Sequence, residues 1–190
     1  MTNLHLFSWA NLPVSPWRNG GGETREILSW PVGKADFTWR ASIATISNDG
    51  PFSVFEGIDR SITLLTGHGV YLRSEQGVDH HLDQTGVPFA FAGEVPTQAT
   101  LIDGVTTDFN IMTRRGMCTA QVQMSVQDFT LNHQRDGLLY VLRGSWQIHE
   151  TISLQPTEGV YWSHNEQCEQ GLLVKALQPD SQILWVEIAV

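Results

Sequence analysis

Between Pro16 and Ile27 the chain reads PWRNGGGETREI, which sets an indole ring, two guanidinium groups, two carboxylates, an amide and three consecutive glycines within twelve positions. The chemistry open to such a stretch is recognition of a small polar ligand. Arg18 and Arg25 can grip a carboxylate in bidentate fashion, Asn19 and Thr24 add hydrogen bonds, and Trp17 offers a flat apolar wall. Gly20, Gly21 and Gly22 mark backbone that either takes positive φ or lies close against another segment. The plain alternative is an ordinary loop between strands with Trp17 in the core.

Two later stretches carry similar groups. In FTWRASIATI, from Phe37 to Ile46, alternation places Phe37, Trp39, Ala41 and Ile43 on one face and Thr38, Arg40 and Ser42 on the other. In VTTDFNIMTRR, Asp108, Asn110, Met112 and Arg114 share a face while Phe109 and Ile111 point the opposite way. The apolar faces suit a core, so the polar ones border water or a cavity. Arg60, in GIDRSITLL, adds another guanidinium. Nine of the eleven basic residues are Arg and only Lys34 and Lys175 are Lys, a balance that favours planar recognition of carboxylates or internal ion pairs over simple solubility.

The elements that must position these groups are strands. No long segment shows apolar spacing at helical period, and 190 residues with 41% hydrophobic content suffice for a sizeable core. Strand signals cover Thr24–Leu28, Phe37–Ile46, Ser61–Leu65, Val70–Arg73 and the Asp108 stretch. After Gly116 they resume at Thr119–Met124, Leu138–Leu142, Ser145–Ile148, Val160–Trp162, Leu172–Ala176 and Ile183–Ile188, with turns at Asn48–Pro51, Gly67–Gly69, Arg143–Gly144 and Gln155–Gly159. Both halves contain an apolar strand, a glycine turn and a second strand, ITLLTGHGVYL beside LLYVLRGSWQI. The expectation is an all-β chain of two tandem small barrels, residues 1–116 and 117–190. The pairing of the segment before Pro16 stays open between the two.

Several chemistries lack their residues. His80 and His81 are adjacent, so on a strand they face opposite ways and cannot chelate one ion together. His149, Glu150 and His164 are the nearest thing to a metal set in the second half, and ordinary histidines are the preferred reading. There is no Gly-x-Ser-x-Gly elbow, GxGxxG or P-loop, and neither Cys118 nor Cys168 has metal-like spacing; both read as reduced thiols. Glu23, Glu26, Glu56, Asp59 and Asp108 are available as acid or base, or simply as partners for arginine. A formal charge of -9 argues against nucleic acid and anionic membrane as partners. Neither a leader-like N-terminus nor a membrane-length apolar window is evident, so a cytoplasmic location is expected.

WRNGGGETREI, DFTWRASIATI, GPFSVFEGIDRSITLLTGHGVYL, PFAFAGE and DFNIMTRR, in that order and spacing, resemble the HutD/Ves family of bacterial proteins, with TREI and WRASIA nearer the Ves branch. LLYVLRGSWQI and SQILWVEI extend the resemblance over nearly the whole chain. It implies a bicupin, two tandem cupin-like β-barrels, without the usual cupin metal and without a cofactor. It also implies either a regulatory role in histidine utilisation, through binding an intermediate such as urocanate, or a role in stress response. Glu56 departs from the family pattern, which more often has Pro there. The residues falling on family motif positions, and so the expected ligand-binding set, are Trp17, Arg18, Asn19, Gly20, Gly21, Gly22, Thr24, Arg40, Ser42, Arg60, Asp108, Asn110, Met112 and Arg114. The combined reading is a non-enzymatic binder of a small carboxylate metabolite; a metal-independent enzyme or a protein-interaction module are the alternatives.

Overall fold

The computed structural model describes residues 4–34, 36–131, 134–164 and 171–190. Cys168 and Ala35 lie outside the described residues. Strands follow one another with short turns, and the one helical element among the described residues is a 3-10 turn at Trp9–Asn11. No helix is long and apolar enough to cross a membrane among the described residues.

The chain divides by its contacts into two compact units, Leu12–Thr119 and a second made from the residues up to Asn11 together with those from Ala120 onward. Strand β1 (His5–Ser8) belongs to the latter. The contiguous unit holds β2 (Val14–Pro16), β3 (Gly22–Trp30), β4 (Trp39–Ile46), β5 (Gly50–Pro51), β6 (Ile58–Thr66), β7 (Val70–Arg73), β8 (Asp79–Leu82), β9 (Pro88–Ala92), β10 (Gln98–Leu101) and β11 (Thr106–Arg114). They form a six-stranded sheet in the order β2-β3-β4-β11-β6-β9 and a four-stranded sheet β5-β10-β7-β8. Ile46, Ile62 and Leu64 from the first sheet meet Val70, Leu72, Leu82 and Ala99 from the second in one apolar cluster. Sheets that are apolar on one face must bury it, and two facing sheets do so.

The alternation expected for the central strands is present, but both faces are covered. Trp39, Ala41, Ile43, Phe109 and Ile111 are buried on one face, while Ser42, Asp108, Asn110 and Met112 are buried on the other, the face that β4 and β6 also use for Ile46, Ile62 and Leu64. The polar row therefore lines the interior of this barrel rather than an open surface. Two register shifts adjust it. One lies in β3 between Glu26 and Leu28, and the other falls where β11 pairs with β6, between Thr107 and Asp108. Such bulges re-aim the neighbouring side chains.

The second unit adds β12 (Thr119–Ser125), β13 (Phe129–Leu131), β14 (Asp136–Arg143), β15 (Trp146–Ile148), β16 (Ile152–Leu154), β17 (Glu158–Trp162), β18 (Leu172–Ala176) and β19 (Gln182–Ala189). Its sheets run β1-β17-β14-β19-β12 and β13-β18-β15-β16. The question left open for the N-terminal segment is answered by register: His5 pairs with Tyr161 and Phe7 with Gly159. The interior is filled by Leu139, Val141, Trp146, Val160, Trp162, Leu172, Val174 and Ile183. Gly137 leaves room for the Trp162 ring, which a Cβ there would overlap, and the indole Nε1 donates to the Arg135 carbonyl at 2.9 Å.

The shared strand–turn–strand pattern has the same job in both units. β6 passes through a turn with Gly67 and Gly69 at positive φ into β7 of the facing sheet, and β14 passes through Gly144, also at positive φ, into β15. Glycine takes this conformation without the steric cost a Cβ imposes.

Candidate functional site

Within the Leu12–Thr119 unit a cavity of about 580 Å³ opens inside the barrel. Its wall comes from three registered rows. Thr24, Ala44 and Asp108 stand side by side on β3, β4 and β11; Ser42 and Asn110 form the next row; Arg40, Met112 and Arg60 continue onto β6, while Glu26 and Ser29, at the β3 ends of these two rows, do not line the cavity. Opposed residues of an antiparallel sheet project to the same side, so register alone gathers these groups.

The buried end of the cavity holds a relay of polar side chains. Arg60 Nη2 donates to Asn110 Oδ1 at 2.9 Å, and Asn110 Nδ2 donates to Asp108 Oδ1. Asp108 is 1% exposed and Arg60 7%. Asp108 Oδ2 and Arg60 Nε have no hydrogen-bond partner among the described residues. Burial pushes the Asp108 carboxyl up to about 7, against the opposing pull of the Arg60 charge and the Asn110 hydrogen bond. Burial likewise lowers the Arg60 guanidinium to about 10, with Asp108 acting against the shift and Arg40 adding to it. Three rings fix Arg60: its guanidinium carbon lies 5.2 Å from the Phe52 centroid, 5.8 Å from Phe55 and 5.0 Å from Phe91. Each such contact contributes about 0.5–2 kcal/mol, more when desolvated.

Towards the exposed side, Arg40 Nε donates to Glu26 Oε2 at 2.8 Å. Trp17 packs partly against the apolar cluster and donates from Nε1 to Thr24 Oγ1 at 2.8 Å. Arg18 and Asn19 follow it on the glycine loop and are exposed. The loop is held by its own backbone: Gly20 N donates to the Trp17 carbonyl, Trp17 N to the Gly22 carbonyl, and Gly21 N to Asn19 Oδ1. Gly22 crosses so close to β4 that a Cβ would collide with the Thr45 carbonyl oxygen. The glycines thus bring Trp17 and Arg18 to the cavity and contribute no lining themselves.

The model of the HutD family matches residues 10–181. The chain belongs to the HutD family. It is 41% identical to Protein Ves of Cronobacter sakazakii over 186 residues, 97% of this chain and 98% of that one. HutD from Pseudomonas fluorescens SBW25, solved in a formate condition, superimposes with a TM-score of 0.86 at 25% identity, covering 98% of each chain. A cupin 2 conserved barrel domain protein from Leptotrichia buccalis matches with a TM-score of 0.60 at 10% identity over 100% of this chain and 98% of that one, a likeness of fold. The architecture is thus all-β and cupin-like, a bicupin of two barrels, as the motifs imply.

Of the fourteen residues singled out by sequence, Trp17, Arg18, Asn19, Thr24, Arg40, Ser42, Arg60, Asp108, Asn110 and Met112 line the cavity. Gly20, Gly21 and Gly22 do not, and neither does Arg114, although strand parity puts it in the Asp108 row. At the end of β11 its guanidinium turns to Asp36 and to the Phe37 carbonyl. Sequence reasoning missed Ser15, Pro16, Ala44, Pro51, Phe52, Ser53 and Phe55. Ala44 was available from parity with Ser42. The segment from Pro51 to Phe55 reads as a turn followed by apolar residues within one of the blocks that carry the family resemblance, with no residue of it singled out.

The other titratable candidates lie elsewhere. Glu23 points away from the Thr24 row and pairs with Arg25 at 3.2 Å, and Asp59 pairs with Arg115 at 2.6 Å. His80 stacks on Phe89 and His81 lies tilted against Tyr71, on opposite faces of β8. His164 Nδ1 lies 3.2 Å from Asp136 Oδ1, and His149 sits in a turn at φ 51. Among the described residues no group of three or more His, Cys, Asp or Glu side chains gathers as a metal site requires.

Proposed function

We propose that this HutD-family chain is a non-enzymatic binder of a small carboxylate-bearing metabolite, held in the cavity of the Leu12–Thr119 unit, with the regulatory or stress-related role that the family resemblance implies. One observation carries the reading. Three guanidinium groups converge on one cavity, and while Asn110 and Glu26 engage Arg60 and Arg40, Arg18 at the exposed side has no side-chain partner among the described residues. A carboxylate entering there gains charge-assisted, bidentate contacts of about 1.5–3 kcal/mol per hydrogen bond, and the Trp17 ring and Met112 supply an apolar wall for its carbon skeleton.

Thermal shift with formate, urocanate, formiminoglutamate, glutamate and histidine tests this. Formate is included because it is the smallest carboxylate and is named for the structure of the P. fluorescens relative. Ligand at a hundredfold excess over its dissociation constant stabilises by about 2.7 kcal/mol. At least one acid is expected to raise the melting temperature of the wild type more than that of Arg18→Ala; an equal response of both proteins, or none, refutes the proposal.

A second reading is favoured by Asp108, whose carboxyl burial pushes up to about 7 in the wall of the cavity: a metal-independent enzyme using it as acid or base. Turnover of the same acids, followed by mass spectrometry and abolished in Asp108→Asn, would establish it.

A further inference from the structure

Arg60 and Asp108 sit in the cavity wall as opposite charges that meet through Asn110, which accepts from Arg60 Nη2 at 2.9 Å and donates to Asp108 Oδ1. Both are more than nine-tenths buried, and Arg60 Nε and Asp108 Oδ2 are closed off from the cavity. Arg60 Nη1 differs from them. It makes no hydrogen bond among the described residues and is not one of the enclosed atoms, so it is the nitrogen that the guanidinium shows to the cavity. The rings of Phe52, Phe55 and Phe91 hold it there. A carboxylate in the cavity therefore reaches the cation of this pair and not the acid, and it feels the acid only through its charge.

That charge depends on a proton. With Asp108 ionised, Arg60 already has a counter-ion, and an entering carboxylate adds a second negative charge near a desolvated one. With Asp108 protonated, the guanidinium is uncompensated and the entering carboxylate becomes its counter-ion. Away from water such interactions are only weakly screened. The neighbouring strands add no charge that would mask them: Asp108 is flanked by Ala44 on β4 and Leu64 on β6, with Thr24 of β3 beyond Ala44. Further along the wall Arg40 is paired with Glu26 of β3, Arg18 lies on the exposed side, and segment 51–55 brings no charged residue. No histidine lines the cavity among the described residues. Burial pushes the Asp108 carboxyl up to about 7, so both of its states are reached near neutral pH. Resting on the carboxylate reading of this cavity, we infer that the ligand's carboxylate binds together with a proton, which Asp108 takes up from solvent as Arg60 exchanges Asp108 for the ligand as its counter-ion. The net charge of the site is the same before and after, and affinity falls as pH rises.

Formate and glutamate test the linkage, because their carboxylates stay ionised over about pH 5.5–8. Isothermal titration of the full chain should show an affinity about tenfold lower at pH 8 than at pH 5.5, since the fraction of protein with Asp108 protonated falls by that factor across a titration at about 7. At pH 8, titrations in buffers of different ionisation enthalpy should show the uptake of about one proton per ligand bound. Asp108→Asn imitates the protonated acid. It should bind at pH 8 as tightly as the wild type does at pH 5.5, with a flat pH profile and no proton uptake. An affinity of the wild type that does not change with pH, or a pH dependence that persists in Asp108→Asn, overturns the inference while the carboxylate reading stands. If neither acid binds at any pH, the carboxylate reading fails, and nitrate, an anion with no titrating group, decides the linkage alone. A wild-type melting shift with nitrate at pH 5.5 that is lost at pH 8, and kept at both in Asp108→Asn, supports it; any other result overturns it.

Discussion

Replacing Asp108 by Asn should stabilise the protein at alkaline pH and progressively less as the solution is acidified. Burial raises this carboxyl from the ordinary 3.8 to about 7 in the folded chain. The folded state therefore holds the proton more tightly than the unfolded one, and stability falls as pH rises through this interval, because ionisation has to occur in a desolvated site. At 1.36 kcal/mol for each pH unit, the full interval corresponds to a penalty on the order of 4 kcal/mol, of which about 3 kcal/mol develops between pH 5 and pH 8. The amide introduced by Asp108→Asn has no such titration. Arg60 stays charged throughout, since its lowered value of about 10 lies above the range. Urea denaturation of wild type and variant at pH 5, 6, 7 and 8 measures the effect. The stability of Asp108→Asn relative to wild type should rise by about 3 kcal/mol across the series. A difference that stays constant with pH would show that Asp108 is ionised and well solvated throughout, and would refute the account of the buried end.

Gly22→Ala should cost well over 1 kcal/mol, as overpacking against fixed backbone does, because the added Cβ meets the Thr45 carbonyl. Gly20→Ala, with open space around it and only a φ of 71 to accommodate, should cost about 1–2 kcal/mol; melting curves of the two variants check the order. Gly137→Ala should displace the Trp162 ring, visible as a red-shifted tryptophan emission together with a lowered melting temperature, while leaving carboxylate binding intact in the refolded protein. Arg40→Ala should weaken carboxylate binding about tenfold, whereas Arg114→Ala, whose guanidinium serves Asp36 and the Phe37 carbonyl, should change it by less than about twofold, as titration calorimetry would register.

Much of the cavity was legible because it is written in a period of two. Arg40 and Ser42 on one strand, and Asp108, Asn110 and Met112 on another, were assigned to common faces from alternation alone, and register then set them side by side. The same rule failed at Arg114, since parity fixes the direction of a Cβ but not the path of a long side chain at a strand end, where a carboxylate and a carbonyl compete for it. The rings of Phe52 and Phe55 could not be placed for a related reason. They leave β5 on a segment without regular period, anchored by backbone bonds from Phe52 N to Thr97 and from Phe55 N to Gly93, far along the sequence. The expectation that the apolar faces of the central strands make the core, with the polar faces bordering water or a cavity, left two possibilities, and the cavity is the one present. In a strand covered on both sides, interior and polar are compatible when the polar groups line a cavity.

Pairing of β1 with β17 has a consequence for how the protein is made. Synthesis delivers β1 to the ribosome exit before any of the Leu12–Thr119 unit, yet its partner emerges only after that whole barrel has been released. The barrel with the cavity is contiguous, so it can close while translation continues. β1 meanwhile waits with its edge unpaired and Leu6 exposed, joined only when Glu158–Trp162 arrives. Interrupted translation would therefore release a finished cavity-bearing barrel trailing an orphan strand, the kind of edge that invites association between chains. The N-terminal segment thus completes its own pairing only once the second half has been made.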